Sequence, residues 1–233
     1  MGSIDMPTLL NDAELIPVIE IDRFVFPSDT TAALVRPQSD AERQQSWLQS
    51  LASAGLEGLE SVGPRSSHVD LRTVRAEHLD RYLPLLLRSY DVEFTNLTEP
   101  DAIEDLVVPL CGGLAIRSLS HGVLIEPQCC SDLSDFANWV PVPSLPAGDT
   151  VVVWIGHPEL RVSADEDSLI FDDFDEVNER SRFRSVPRSV FAEQFVDAAA
   201  ALNPFVEVVY RSVSKQLPAA LARKLATTLV GLD

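Results

Sequence analysis

An α+β domain is what this sequence predicts, and three observations predict it. Both ends show apolar residues at helical spacing, the middle shows short strand-like runs, and the connections between those runs are too short to house a crossover helix. The expected architecture is a central, mainly antiparallel sheet over residues 112–171, flanked by N-terminal and C-terminal helices. The expected organisation is a single domain over residues 1–233, with the alternative of an N-terminal helical subregion 1–105 packed on a core of residues 106–233. At 233 residues with 45% hydrophobic residues, the chain is long enough to bury a sizeable core without staples.

Residues 16–26, IPVIEIDRFVF, alternate apolar and polar imperfectly and read as a strand that ends at Pro27. Ser39 followed by Glu42 is a capping-box signature, so a helix opens there with Trp47, Leu48 and Leu51 turned inward and Gly55 beyond its end. A second helix runs from Arg75 to Tyr90 on the stripe Leu79, Tyr82, Leu83 and Leu86, with a kink or early break expected at Pro84. LAIRSL and VLIEP are two short strands around Ser120-His121-Gly122, and SDLSDFANW is a short helical segment opened by Ser131-Asp132. VVVWI, ELRV and SLIF follow as strands of a meander. Pro187 suits the first turn of a helix carrying Phe191 and Phe195, and two more helical pieces begin around Pro204 and Pro218.

The charge is the most informative part of the composition. The net charge is −18, which opposes binding to nucleic-acid backbone or anionic membrane and steers the protein towards basic partners. Between Arg88 and Arg161 only Arg117 is basic against eleven carboxylates. A second acidic cluster follows at once: Asp165, Glu166, Asp167, Asp172, Asp173, Asp175, Glu176 and Glu179. No run approaches the ~20 apolar residues of a membrane span. The opening MGSIDMPTLL has neither a basic region nor a continuous apolar one, so no signal peptide is expected. Three cysteines, two of them adjacent, make no even disulfide framework and predict a reducing, cytoplasmic setting.

Phosphate-binding glycine loops, HExxH, paired CxxC and the GxSxG elbow are all missing from the sequence, and DDFDEVNE lacks the spacing of a calcium loop. No cofactor is expected. Two constellations carry chemistry. His121, Cys129, Cys130 and His157, with Cys111 close in sequence, are donor types that zinc prefers. Alternatively, Cys129 or Cys130, just before a helix start at Ser131, is a nucleophile with His121 or His157 as base and Asp132 or Asp135 as its orienting acid. The plainer readings are buried structural cysteines, Trp139 and Trp154 as core anchors, and His157 as a turn residue bonded to local backbone.

Pro127-Gln128-Cys129-Cys130-Ser131-Asp132-Leu133 followed by a tryptophan, and then Trp154-Ile155-Gly156-His157-Pro158, resemble a family of bacterial proteins similar to immunity proteins encoded beside polymorphic or contact-dependent toxins. The resemblance covers residues 118–175, and its motif residues are Pro127, Cys129, Cys130, Asp132, Trp154, Gly156, His157 and Pro158. It implies a non-enzymatic protein that binds and occludes a toxin domain. An acidic inhibitor complements a basic nuclease cleft, so the expected contact residues are Asp132, Asp135, Asp165, Glu166, Asp167, Asp172, Asp173, Asp175 and Glu176. The cysteine-dependent enzyme and the zinc-binding structural domain are the alternatives.

Overall fold

The computed structural model describes residues 8–21, 39–173 and 182–232. Among them are nine strands and six α-helices, in an α+β arrangement. Contacts divide the chain into two compact units, each built from two segments: Met1–Pro17 with Cys111–Ala200, and Val18–Leu110 with Ala201–Asp233. The strand expected at 16–26 is β2 (Ala13–Glu20), which starts earlier than its sequence pattern suggested; residues 22–26 lie outside the described residues. Its eight residues are nearly all buried, which erases the alternation.

The first unit is organised by a five-stranded sheet in the order β1-β9-β8-β7-β6, from β1 (Thr8–Leu9), β6 (Thr150–Val153), β7 (Leu160–Ala164), β8 (Ser168–Asp173) and β9 (Arg182–Pro187). β6 to β9 form the antiparallel meander, and β1 adds in parallel to β9. Leu160, Val162, Leu169 and Phe171 are buried on one face, while Arg161, exposed, and Asp172, half-buried, stand cross-strand from each other on the other. β4 (Gly112–Ser118) and β5 (Gly122–Ile125) form a hairpin beside β2, not part of that sheet. The single central sheet expected over 112–171 is therefore two sheets. β9 was hidden in the sequence because RFRSVP carries charge at strand spacing. Pro187 ends that strand, and α4 (Arg188–Ala200) begins at the next residue.

Helix α4 and the 3-10 helix Leu133–Trp139 close the core of this unit around one ring. Phe191 lies 5.9 Å from Phe171 of β8, 6.1 Å from Trp139 and 6.1 Å from Phe195, which in turn stacks on Phe136 at 5.8 Å. Such ring pairs add to the apolar area they bury. One turn on from Phe191, Gln194 acts as a backbone surrogate. Its Oε1 accepts from Leu15 N at 2.7 Å and its Nε2 donates to Ala13 O at 2.8 Å.

The second unit is mainly helical. α1 (Asp40–Ser53) begins with the expected capping box of Ser39 and Glu42, and its Trp47 Nε1 donates to Ile21 O at 3.2 Å. β3 (His68–Asp70) pairs antiparallel with Val18–Glu20 of β2. Pro84 sits inside α2 (Ala76–Ser89) without ending it, so of the expected kink or early break the break does not occur. α3 (Pro100–Leu106), α5 (Leu202–Val213) and α6 (Ala219–Val230) complete the unit. Asp80 of α2 accepts from Ser212 Oγ at 2.9 Å and pairs with Lys215, while Glu104 of α3 pairs with Lys224 of α6 at 2.8 Å. No helix among the described residues is long and apolar enough to cross a membrane.

Phe191→Ala should lower the unfolding free energy by roughly 3–5 kcal/mol, as expected for emptying a fully buried aromatic site. Urea unfolding followed by far-UV circular dichroism measures it. A loss below about 1 kcal/mol would mean the neighbouring rings collapse into the space.

Candidate functional site

The two segments singled out in the sequence meet in space. The loop after β5 runs beside the turn that joins β6 to β7, and the two exchange backbone hydrogen bonds. Gln128 N donates to Ile155 O at 2.6 Å, and His157 N donates to Cys129 O at 3.3 Å. Ser131 ties the loop from the other side, with its N bonded to Gln128 O and its Oγ donating to Gly112 O at 3.0 Å. Pro127 is buried close to Gly113, where an added Cβ would stand 3.2 Å from the proline ring. The approach is tightest at Gly156: with φ at +97°, a Cβ there would fall 2.3 Å from Cys129 O. Only glycine meets both demands.

This frame holds Cys129 and Cys130 exposed, with Cys130 at φ 69°, a left-handed conformation uncommon for a non-glycine residue. Cys129 Sγ faces the backbone carbonyl of His157 at 3.9 Å. A catalytic dyad would place an imidazole nitrogen where that carbonyl oxygen is. The His157 ring instead packs edge-on against Trp154 at 4.7 Å. Trp154 is half-buried and belongs to this turn, so the expectation of a core anchor holds for Trp139, at 1% exposure, and fails for Trp154. His157 is a turn residue as expected, but its N–H bonds Cys129 O on the neighbouring loop, not local backbone.

His121 is held elsewhere, in the turn between β4 and β5. Its Nδ1 lies 2.8 Å from Ser120 Oγ and 3.1 Å from Ser118 Oγ. Among the described residues no group of three or more His, Cys, Asp or Glu gathers so as to hold a metal ion, so His121, Cys129, Cys130 and His157 do not assemble as a ligand set. The centre of the His121 turn is Asp12, which no local sequence pattern marks. Its carboxylate accepts from Ser118 Oγ at 2.9 Å, Ser120 Oγ at 2.7 Å and Ser120 N at 2.9 Å. The hydroxyls of Ser120 and Ser118 hold its pKa down at about 2. Next to it, Glu14 pairs with Arg117 at 2.6 Å.

The acidic residues divide into groups with different work. Asp132 and Asp135 are the reciprocal cap of the 3-10 helix: Asp132 Oδ1 accepts from Ser134 N at 2.8 Å, and Asp135 Oδ2 accepts from Asp132 N at 3.0 Å. Burial raises the Asp135 carboxyl above its usual range despite that bond, and the nearby Asp132 charge adds to the rise. Asp165 shapes the turn between β7 and β8, accepting from Ser168 N and from Asp167 N at 2.9 Å, and the Ser168 bond lowers its pKa. Glu166 and Asp167 are exposed in the same turn.

Asp172 sits at the far end of β8, roughly 17 Å from Asp167 at the rise of an extended strand. The antiparallel order places that end beside the Trp154–Pro158 turn. One carboxylate oxygen of Asp172, Oδ1, is buried and finds no hydrogen-bond partner among the described residues. The side chain of Asp173, and Asp175 and Glu176 altogether, lie outside the described residues. Asp165, Glu166 and Asp167 thus lie at one end of the sheet and Asp172 at the other.

Gly156→Ala should lower stability by roughly 2–4 kcal/mol, from the overlap with Cys129 O and the left-handed backbone together; chemical denaturation measures it. For Asp12, the lowered pKa means its stabilising contribution is complete above the ordinary carboxylate value of 3.8 and disappears as pH falls through about 2. Urea titrations of wild type and Asp12→Asn should differ at pH 5 and converge as pH falls from about 4 to about 2.

Compared with known proteins, the chain matches no protein-family model, no curated protein and no solved structure.

Proposed function

We propose that this chain is a non-enzymatic, acidic binding protein of the immunity type, which neutralises a bacterial toxin domain by occluding a basic cleft such as that of a nuclease. One observation carries the reading. The two segments that resemble immunity-type proteins, 127–133 and 154–158, form one braced loop pair, exposed at Gln128, Cys129, Cys130 and His157, at the end of the sheet where the half-buried Asp172 lies. A braced loop costs little ordering entropy on association. The half-buried Asp172 side chain offers a carboxylate at that end to a partner's arginine or lysine. The net charge of −18 supplies long-range steering towards such a partner.

Asp132, Asp135 and Asp165 are engaged in local caps and turns, so among the described residues the contact is centred on the Trp154–Pro158 turn, Glu159 and Asp172. The working compartment of such an inhibitor is the cytoplasm of the toxin-producing cell. The cysteine-enzyme and zinc-domain alternatives draw no comparable support from Cys129, whose thiol faces a carbonyl oxygen, or from the scattered histidines.

Affinity capture from the source organism's lysate at low and high salt, with mass spectrometry, tests the proposal. One basic protein should be retained at low salt and released at high salt. Reversing Asp172, Asp173 and Asp175 to lysine should slow its association at least about tenfold at low salt. Absence of any specific protein partner, or binding indifferent to salt and to the charge reversal, would overturn it.

A further inference from the structure

We propose that Cys129 and Cys130 are a redox modification site: a vicinal dithiol that low-molecular-weight disulfides convert into a small intramolecular disulfide ring. The site stands on the loop geometry alone and does not depend on whether the chain inhibits a toxin.

Three features of the loop select this pair. Both cysteines are exposed, whereas Cys111 is half-buried in a bridge with Asp132. Their backbone is fixed on both sides, by the bonds of Gln128 N to Ile155 O, His157 N to Cys129 O and Ser131 N to Gln128 O, so the thiols stand on a frame instead of a loose tether. Cys130 holds a left-handed φ of 69°, which turns the chain sharply between neighbouring thiols. The peptide joining the two is trans, so the Cα atoms lie ~3.8 Å apart, below the usual ~4.4–6.8 Å span of a disulfide. A ring closed over so short a span is strained. Strained, exposed disulfides are the readily reduced, labile kind.

The chemistry balances with one external disulfide. The thiolate of one cysteine attacks a sulfur of the small disulfide; a protein–sulfur bond forms, the external S–S bond breaks, and one small thiol leaves with a proton. The neighbouring cysteine, deprotonated, attacks the protein sulfur of the mixed disulfide and expels the second small thiol. Two protein thiols are oxidised and one external disulfide is reduced to two thiols. Because the second nucleophile is adjacent, ring closure outruns a second external attack. Closure moves the backbone at Cys130. The Cys129 O to His157 N bond transmits that movement to the Trp154–Pro158 turn.

The experiment treats the full chain carrying Cys111→Ser with oxidised glutathione, and follows intact mass and free thiols. This variant should lose both remaining thiols and become about 2 Da lighter with no glutathionyl group retained, and dithiothreitol should restore it. Adding either Cys129→Ser or Cys130→Ser should trap one stable glutathionyl group. Peptide mapping of oxidised wild type gives the same assignment without relying on substitutions: Cys111 alkylated, and the peptide of Cys129 and Cys130 internally bridged. A retained glutathionyl group on the Cys111→Ser chain, a disulfide-linked dimer, a bridge to Cys111, or unreacted thiols would each overturn the proposal.

Discussion

The Phe191 ring is the constraint on which the first unit depends. It is 0% exposed and meets a ring from β8, a ring from the 3-10 helix and a ring on its own helix, so three elements with little else in common are fixed by one side chain. The consequences run outward. Once α4 is set on the sheet, Gln194 of the same helix reaches the backbone of β2 at both its carbonyl and amide. Once Trp139 is set, the 3-10 helix is placed, and with it the Asp132–Asp135 cap that ends the cysteine loop. The loop pair carrying the candidate function is thus positioned from the aromatic core, two steps removed from any functional residue.

That core also holds the loop pair in place. Loops that lie on a surface are ordinarily the mobile part of a fold. Here the loop after β5 and the turn before β7 brace each other through backbone bonds and through a contact at Gly156 too close for any side chain. Charge and rigidity are therefore separable in this protein. The carboxylates at Asp132, Asp135, Asp165 and Asp12 are bound into caps and turns, so the proposed contact draws on a smaller set than the net charge suggests.

Local signals were legible in the sequence and distant ones were not. The Ser39–Glu42 box, the Asp132 cap and the stripe of α2 all rest on spacings of three or four residues, and each appears where its pattern placed it. The pairing of 127–132 with 154–158 was legible only as two notable segments; nothing in either says they touch. Asp12 was invisible because its partners are more than a hundred residues away, at Ser118 and Ser120. β9 was missed because its register is fixed by β8 and not by its own alternation, and β6 to β8 looked continuous with β4 and β5 because a sequence pattern does not say which sheet a strand joins.

The interleaving of the two units sets the order in which the chain becomes foldable. The first unit needs Ala13–Pro17 from the start and the α4 helix from near residue 200, and the second needs α1 to α3 together with α5 and α6 at the end. As the polypeptide emerges from the ribosome, the helices of residues 40–106 appear first but wait for the last 33 residues to complete their unit. β2 likewise waits for Gln194. The unit begun second is thus completed last, and the unit begun first closes while the other is still open. Loop closure over such separations makes the nascent chain slow to commit. The apolar faces of the second unit stay uncovered until α5 and α6 emerge, and holding chaperones have their longest opportunity on that unit between the emergence of α1 and that of α6.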